Sequence, residues 1–180
     1  CFSTRSCGVL LPALVLAFDV RTVLEIGSGY GFITQVLAKA LAANSGMHGL
    51  LISCDIFPSS CDCAREAGSH ETGLHIVVKD DSTTCDWSLY LGDRRFDLVF
   101  IDGDHSYEGV AKDIRNADKF LKEGGLMMVH DYGPHEPGSM KAIDEWVKES
   151  GWSAIPIPGR HDEDSHEAIL MRKVTRCPTE

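Results

Sequence analysis

The sequence predicts an α/β fold: a doubly wound, seven-stranded, mostly parallel sheet with helices on both faces and an antiparallel last strand. Short apolar runs alternate with segments whose apolar residues recur every three or four positions, which indicates alternating strands and helices. The runs are continuous, as expected of strands buried on both faces. Ligands bind beyond the carboxyl ends of such strands, so the polar residues that follow five runs mark the expected site: Glu25, Asp55, Asp81, Asp102 and the His130-Asp131 pair.

The composition is that of one soluble globular domain covering residues 1–180. Hydrophobic residues make up 43% and charged residues 24% of the chain, so an apolar core can form without disulfide or metal staples. A net charge of -10 argues against nucleic acid as a partner, because phosphate contacts need clustered lysine and arginine. Seven cysteines without a CxxC pair fit neither a disulfide framework nor a zinc site, so we expect a cytoplasmic location.

The first half of the chain predicts three strands and three helices. Gly8–Phe18 is apolar but too short to span a bilayer, and no cleavage signature follows it, so we expect a buried helix packed on the sheet. Val23–Gly31 (VLEIGSGYG) combines a strand, a tight turn and a helix start. That helix is marked by Ile33, Val36, Leu37, Ala40 and Leu41 and stops at Asn44-Ser45-Gly46. A strand, a short helix and a third strand follow at Leu50–Cys54, Pro58–Ala67 and His75–Lys79.

The second half continues the alternation and ends in a hairpin. The segment from Ser82 to Arg95 has little periodicity and is either helix or loop. A strand at Phe96–Ile101 leads into an amphipathic helix that we expect to stop at Gly124-Gly125. The next elements are a strand at Leu126–Val129, a loop at Gly133–Gly138 and a helix that begins at Ser139. The last two strands are predicted at Trp152–Ile157 and Glu167–Arg172. The loop Gly159–Ser165 is short enough for a hairpin, which predicts the antiparallel last strand.

The glycines of Val23–Gly31 indicate a cofactor site. Glycine permits a tight turn and close approach of a ligand, and the start of the following helix offers unpaired N–H groups. S-adenosylmethionine and a dinucleotide are the competing ligands. The dinucleotide pattern G-x-G-x-x-G fits poorly because Phe32 stands where the third glycine belongs, and the sequence contains no phosphate-binding P-loop motif.

Five features occur in the order typical of class I S-adenosylmethionine-dependent methyltransferases: E-I-G-S-G-Y-G, Asp55, the D-D-S turn at 80–82, F-D-L-V-F-I-D-G-D-H and L-K-E-G-G. The chain resembles that family over nearly its whole length, which implies a Rossmann-like sheet and S-adenosylmethionine as cofactor. The resemblance places the methionine end at Glu25, the ribose at Asp55 and the adenine at Asp81, although Glu25 and Asp81 alternatively cap a helix or a turn. The cofactor-binding positions that it implies are Glu25, Gly27, Ser28, Gly29, Asp55, Ile56, Asp81, Ser82 and Asp102.

The run F-I-D-G-D-H-S-Y-E-G, with H-D-Y on the next strand, is similar to the metal-assisted small-molecule O-methyltransferases of the macrolide-sugar, cephalosporin-hydroxylase-like and catechol types. This resemblance implies Asp102, His130 and Asp131 as metal ligands and His105 as the catalytic base. Carboxylates suit Mg²⁺, whereas an imidazole ligand favours Mn²⁺ or Fe²⁺. His130 is therefore either a ligand or a hydrogen-bonding neighbour, and His105 is either the base or a structural histidine at a helix start.

These features predict an O-methyltransferase that acts on a hydroxyl of a small molecule, of the sugar or natural-product type. The expected partners are that acceptor and a second copy of the chain, with neither nucleic acid nor a membrane. Relatives usually carry additional helices at the amino terminus, and we expect this domain to lack them. A non-catalytic S-adenosylmethionine-binding domain is therefore one alternative, and an NAD-binding oxidoreductase is another.

Overall fold

A computed structural model describes residues 4–45, 49–68, 73–158 and 166–172. The strands are β1 (Thr22–Ile26), β2 (Leu50–Asp55), β3 (Leu74–Lys79), β4 (Phe96–Ile101), β5 (Leu121–Tyr132), β6 (Trp152–Pro158) and β7 (His166–Arg172). The helices are α1 (Thr4–Ala17), α2 (Phe32–Ser45), α3 (Pro58–Gly68), α4 (Trp87–Leu91), α5 (Tyr107–Phe120) and α6 (Pro137–Ser150).

The strands form one mixed sheet in the order β3-β2-β1-β4-β5-β7-β6. Strands β1 to β5 run parallel, and β7 pairs antiparallel with both β5 and β6. The chain moves outward from β1 to β3 and then returns to β4 on the other side of β1. The strand order therefore reverses between β1 and β4, and the crevice beyond their carboxyl ends is where such sheets bind ligands.

Helices cover both faces of the sheet. Helices α4, α5 and α6 pack on one face, against side chains such as Leu24 and Val99. Helices α1 and α2 pack on the other, against Val23 and Leu98, and α3 lies beside α2. Adjacent residues of one strand thus enter opposite cores. The α/β Rossmann-like fold with helices on both faces, predicted from the sequence, is confirmed. The helix expected at Gly8–Phe18 is α1, but only one side of it is buried, at residues such as Leu11 and Val15, whereas Val9 and Leu16 are exposed.

The end of α5 differs from the sequence prediction. The helix stops at Phe120 and β5 begins at Leu121, so Gly124-Gly125 lies inside the strand instead of ending the helix. Leu121 is already extended, with φ -79° and ψ 136°, and pairs with Phe96 of β4. Between Leu121 and Leu126 the pairing of β5 with β4 shifts in register, and Gly124 within this part of β5 has a φ of 76°. Pairing with a distant strand therefore outweighs the local stop signal of the glycines.

The ambiguous segment from Ser82 to Arg95 contains the short helix α4. The Asp86 side chain caps it by accepting a hydrogen bond from the Ser88 backbone N–H. The predicted loop Gly159–Ser165, like Gly46 of the predicted α2 stop, lies outside the described residues. Within the described ranges, every helix is too short or too polar to cross a membrane.

Candidate functional site

A cavity of about 580 Å³ opens beyond the carboxyl ends of β1, β2, β3 and β4. It is lined by Gly27, Gly29, Cys54, Asp55, Ile56, Phe57, Ser60, Asp80, Asp81, Ser82, Thr83, Asp102, Gly103 and Asp104. Most of the cofactor positions implied by the sequence therefore face one space, at the expected edge of the sheet. Glu25 and Ser28 are the two that do not line it.

Gly27 allows β1 and β4 to approach each other at the rim of this cavity. Its φ is 85°, and a Cβ here would lie 2.0 Å from the carbonyl oxygen of Asp102. Its N–H donates to the Cys54 carbonyl at 2.8 Å, and the Asp102 N–H donates to Ile26 at 2.8 Å. Only glycine fits between these backbones, so the turn and the end of β4 form one unit.

Asp55 ties the glycine turn to the end of β2. Its Oδ2 accepts a hydrogen bond from the Gly29 N–H at 2.9 Å and a longer one from the Ser28 hydroxyl at 3.4 Å. Its Oδ1 accepts from the Phe57 N–H at 2.9 Å. Each carboxylate oxygen can accept two hydrogen bonds, so Oδ1 keeps one free acceptor site for a ligand hydroxyl, and a second hydroxyl could take the place of the long Ser28 contact on Oδ2.

Glu25 lies behind the turn and not in the cavity. Its side chain is fully buried, and Oε2 accepts hydrogen bonds from the hydroxyls of Thr34 at 2.8 Å and Ser53 at 2.5 Å. Burial raises the pKa of Glu25 to about 7. The carboxylate joins the start of α2 to β2 and so shapes the turn. Its other oxygen, Oε1, is also buried, so neither oxygen is exposed for the direct ligand contact expected from the sequence.

Ser53 extends this buried network to β3. Its single hydroxyl proton is donated to Glu25, so its oxygen must accept the hydrogen bond from Nε2 of His75, 3.0 Å away. This assigns the ring proton of His75 to Nε2. Burial lowers the pKa of His75 to about 4, which keeps the ring neutral at physiological pH.

The loop after β3 supplies the far wall of the cavity. Asp81 Oδ1 accepts hydrogen bonds from the Thr83 N–H at 2.9 Å and the Thr83 hydroxyl at 2.7 Å, which lower the pKa of Asp81. The Ser82 carbonyl accepts from Trp87 Nε1 at 2.9 Å and from the Asn116 amide at 3.2 Å. Contacts from α4 and α5 therefore hold the loop in place.

Asp113 of α5 is a buried acid beneath this part of the cavity. Neither carboxylate oxygen makes a well-aligned hydrogen bond to the described residues. Burial raises the pKa of Asp113 to about 7, against a smaller opposing effect of the Ser82 hydroxyl. A Cβ on Gly103 would lie 3.3 Å from Asp113 Oδ2, so this carboxyl group supports the lining loop from below.

Asp102, His105, His130 and Asp131 converge beyond β4 and β5. One donor atom from each lies within 4.8 Å of the other three. His105 Nε2 is 3.2 Å from Asp102 Oδ1, and His105 Nδ1 is 3.3 Å from Asp131 Oδ2. His130 Nδ1 is 3.3 Å from Asp102 Oδ1 and 3.0 Å from Asp131 Oδ2. Two carboxylates and two imidazoles at this spacing suit a divalent cation.

Backbone strain helps to place Asp131 in this cluster. Its φ is 56°, a left-handed conformation that costs a non-glycine residue about 1–3 kcal/mol. The neighbouring His130 side chain is 3% exposed and stands edge-on to Phe100, with ring centroids 6.3 Å apart. The end of β5 therefore turns two successive side chains toward the same centre.

His105 is held from both ends of its side chain and through its backbone. The hydrogen bond with Asp102 raises the pKa of His105. Glu136 Oε1 lies 3.8 Å from Nδ1. A Cβ on Gly138 would lie 2.7 Å from the His105 carbonyl oxygen, which also accepts a hydrogen bond from the Ser139 hydroxyl at 3.4 Å. The start of α6 therefore fixes the His105 backbone.

Sequence reasoning missed three polar residues that support the site from behind. Ser53 interrupts the apolar run L-L-I-S-C-D, and Asp113 lies three residues after Val110 on the apolar stripe of α5. A polar residue inside a buried pattern is the signal that could have identified both. Glu136 carried no such signal, because its position depends on how the loop from 133 to 138 folds.

A doubly wound sheet with a glycine turn after β1 and an acid at the end of β2 is the arrangement of Rossmann-like domains, which commonly bind nucleotide ligands at this edge of the sheet. Comparison with known families is more specific. Residues 24–132, more than half of the chain, match the family described as "Methyltransferase domain". The chain belongs to this methyltransferase family, which confirms the resemblance found in the sequence.

Individual relatives agree with this assignment. The "Putative O-methyltransferase" of Mycobacterium sp. (strain JLS) is 29% identical over 135 residues, which are 71% of this chain and 56% of that protein. The chain thus spans little more than half the length of this relative. An O-methyltransferase from Bacillus cereus, solved with SAH, superposes with a TM-score of 0.73 at 21% identity, over 93% of this chain and 81% of the other. The O-methyltransferase TomG from Streptomyces achromogenes, solved with SAM, superposes with a TM-score of 0.67 at 21% identity, over 96% of this chain and 82% of the other.

Proposed function

We propose that this chain is an S-adenosylmethionine-dependent O-methyltransferase that methylates a hydroxyl group of a small molecule with the help of a divalent cation. One observation carries the proposal: Asp102 lines the cavity and also belongs to the cluster with His105, His130 and Asp131. The candidate cofactor site and the candidate metal site therefore lie next to each other, and transfer between two ligands requires that proximity.

The backbone and side chains that line the cavity support S-adenosylmethionine as the cofactor. The turn at Gly27 and Gly29 leaves backbone free of side chains beside the opening. Asp55 can accept one ribose hydroxyl on Oδ1 and a second on Oδ2 in place of the long Ser28 contact. Asp81, Ser82 and Ile56 line the remaining walls and are assigned to the adenosine end. When bound, S-adenosylmethionine supplies an electrophilic methyl group and leaves as S-adenosylhomocysteine.

The charge of the cavity argues against the oxidoreductase alternative. Its lining contains Asp55, Asp80, Asp81, Asp102 and Asp104, and no lysine or arginine is among the lining residues. The pyrophosphate of NAD carries negative charge, which this lining would repel. The sulfonium of S-adenosylmethionine is positive and is attracted instead.

The cluster supplies the groups that hydroxyl methylation needs. Asp102, Asp131 and His130 would hold the cation, which when bound lowers the pKa of a hydroxyl beside it. His105 is half-buried with Nε2 3.2 Å from Asp102 and Nδ1 3.3 Å from Asp131. It would accept the hydroxyl proton on the ring nitrogen that a carboxylate releases when it binds the cation. The Asp102 and Asp131 carboxylates then stabilise the imidazolium that forms.

The test is the variant Asp131→Ala, compared with Asp93→Ala at an exposed acid outside the site. We expect Asp131→Ala to abolish metal-stimulated methyl transfer to a panel of sugar and phenolic hydroxyls, followed with labelled S-adenosylmethionine. Cofactor binding, measured by calorimetry, should change less than about twofold, because Asp131 does not line the cavity. Asp93→Ala should resemble the wild type in both assays.

Three outcomes would contradict parts of the proposal. Unchanged, chelator-insensitive turnover in Asp131→Ala would remove the metal mechanism. Cofactor binding by the wild type without methylation of any panel member would favour the non-catalytic alternative. Tight binding of NAD with none for S-adenosylmethionine would overturn the methyltransferase assignment of the site.

A further inference from the structure

His105, the proposed base, has a carboxylate neighbour that has no role yet in holding the cation or the cofactor. Glu136 Oε1 lies 3.8 Å from Nδ1 of His105, and the Glu136 side chain is 41% exposed. Glu136 belongs neither to the lining of the cavity nor to the cluster of Asp102, His105, His130 and Asp131. This carboxylate is therefore placed to act on His105 without serving either ligand.

The loop before α6 brings Glu136 to this position. Its N–H donates to the Gly133 carbonyl at 3.1 Å, and its carbonyl accepts from the Met140 N–H at 3.0 Å. Glu136 occupies the N-cap of α6, yet its side chain makes no capping hydrogen bond. A capping side chain turns back onto the backbone N–H groups of the first helical turn. The Glu136 carboxylate instead faces His105.

The two ring nitrogens of His105 face different parts of the site. Nε2 is 3.2 Å from Asp102, which lines the cofactor cavity, whereas Nδ1 faces Asp131 and Glu136, which do not line it. The hydroxyl to be methylated must lie beside the methyl donor, so it approaches His105 from the Nε2 side. A neutral imidazole has one protonated nitrogen and one accepting nitrogen, so Nε2 can take the hydroxyl proton only while Nδ1 carries the ring proton.

The ring proton on Nδ1 needs an acceptor that the cation does not use. Asp131 and Glu136 supply the carboxylate oxygens within 4.0 Å of Nδ1 in the described part of the chain. Asp131 Oδ2, the nearer of the two, also faces His130 Nδ1 at 3.0 Å and is assigned to the cation. Glu136 is partly exposed, so rotation of its side chain can close the separation of 3.8 Å to a hydrogen bond.

We propose, on the basis of the function above, that Glu136 is the positioning residue of the base: it accepts the hydrogen bond from Nδ1–H of His105 and so keeps Nε2 unprotonated toward the acceptor hydroxyl. The O–H bond of the acceptor then breaks, and its proton forms the Nε2–H bond. The electron pair that stays on the oxygen attacks the methyl group of S-adenosylmethionine. The negative charge of Glu136 stabilises the imidazolium throughout this step.

Kinetics of Glu136→Ala test this role. We expect kcat for methylation of the sugar and phenolic panel to fall about 10-fold or more, because the general base loses the acceptor that orients it. The acceptor KM and the calorimetric affinity for S-adenosylmethionine should change less than about twofold, since the lost interaction serves the transfer step. Glu149→Ala removes an exposed glutamate from the last turn of α6 and should resemble the wild type.

Nitrogen NMR of isotope-labelled histidine locates the ring proton directly, in protein loaded with Mg²⁺ and S-adenosylhomocysteine at pH 8. In the wild type and in Glu149→Ala we expect the His105 ring to be protonated on Nδ1 and unprotonated on Nε2. In Glu136→Ala we expect the proton to move to Nε2, because the hydrogen bond that one ring nitrogen makes determines the tautomer. A merely structural role of Glu136 would leave the tautomer unchanged.

The outcomes separate this role from the proposed function. If the wild-type ring carries its proton on Nε2, or if Glu136→Ala keeps the wild-type kcat, the role of Glu136 is wrong while the proposed function stands. A lower kcat with the ring proton still on Nδ1 would also overturn it. If the wild type neither binds S-adenosylmethionine nor methylates any acceptor, the proposed function fails, and the role of Glu136 fails with it.

Discussion

The two corners of the site are held together by different forces. In the cofactor corner (Gly27, Gly29 and Asp55), backbone groups and one carboxylate satisfy each other through hydrogen bonds of 2.8–2.9 Å. In the reaction corner (Asp102, His105, His130 and Asp131), ionisable side chains face one another at 3.0–3.3 Å, and Asp131 is held at a φ of 56°.

This difference indicates separate tasks. A corner built from satisfied backbone groups is complete before a ligand arrives, so it binds the same cofactor with little rearrangement. A corner built from facing carboxylates and imidazoles concentrates charge that a cation or a proton can neutralise. Changes to the first should therefore act on folding and cofactor binding together. Changes to His105, His130 or Asp131 of the second should act mainly on transfer, whereas a change to Asp102, which also lines the cavity, should affect both transfer and cofactor binding.

The largest effect on stability is expected from Gly27→Ala, because Gly27 of the cofactor corner lies against the backbone of Asp102 of the reaction corner. The new Cβ would overlap the Asp102 carbonyl, so β1 and β4 must separate at their ends. We expect the free energy of unfolding to fall by at least about 3 kcal/mol, with loss of cofactor binding. Denaturant unfolding and calorimetry measure the two effects.

Gly151→Ala is the matched control. Gly151 also has a positive φ, of 73°, but its Cβ would meet nothing within 4 Å. Backbone strain alone should then cost about 1–2 kcal/mol and leave cofactor binding intact. Equal losses of stability in the two variants would show that the close approach at Gly27 does not matter.

The same contrast explains how far the sequence could predict this molecule. Apolar runs place the strand ends, and with them Asp55, Asp102 and Asp131, because residues that end parallel strands must meet at one edge. Glu25 was expected to contact the methionine end of the cofactor, but it does not line the cavity, and its carboxylate accepts hydrogen bonds from Thr34 and Ser53 of two other elements. Such contacts depend on side-chain packing between distant segments and leave no periodic trace.

A smaller effect is expected from Ser53→Ala, which tests whether the buried network behind the cofactor corner is needed. The variant removes one donor to Glu25 and the acceptor for His75, so stability should fall by about 1–3 kcal/mol. The lost hydrogen bond favours ionised Glu25, whose pKa in the folded state is about 7, so the loss should be larger at pH 8 than at pH 5. Chemical unfolding of wild type and variant at both pH values measures it.

Ser45→Ala serves as the control, because the one hydrogen bond that the Ser45 hydroxyl makes to the described residues goes to a helix carbonyl, that of Leu41, at 2.9 Å. Loss of this hydroxyl should lower the free energy of unfolding by less than Ser53→Ala does, and by the same amount at pH 5 and pH 8. A pH-independent effect of Ser53→Ala would separate Ser53 from the ionisation of Glu25.

The smallest effect on stability is expected from Asp113→Asn beneath the cavity, and this variant should gain stability instead of losing it. The pKa of Asp113 is raised from 3.8 to about 7 on folding, so its protonated form is preferred in the folded state. The stability that this preference contributes is complete below about pH 4 and is lost as the pH rises through 7. At pH 8 the wild type buries an ionised carboxylate facing Asp81 and Asp104, with Lys112 as the nearby cation.

Asp113→Asn removes that charge while keeping the size of the side chain. We expect the variant to be more stable than the wild type by about 1–2 kcal/mol at pH 8 and nearly equal to it at pH 4, as measured by denaturant unfolding. Its effect on cofactor affinity should be small, since Asp113 lies under the lining and not in it. A variant that is less stable than the wild type at pH 8 would mean that the ionised Asp113 carboxylate stabilises the loops that line the cavity, and the expected gain in stability would be wrong.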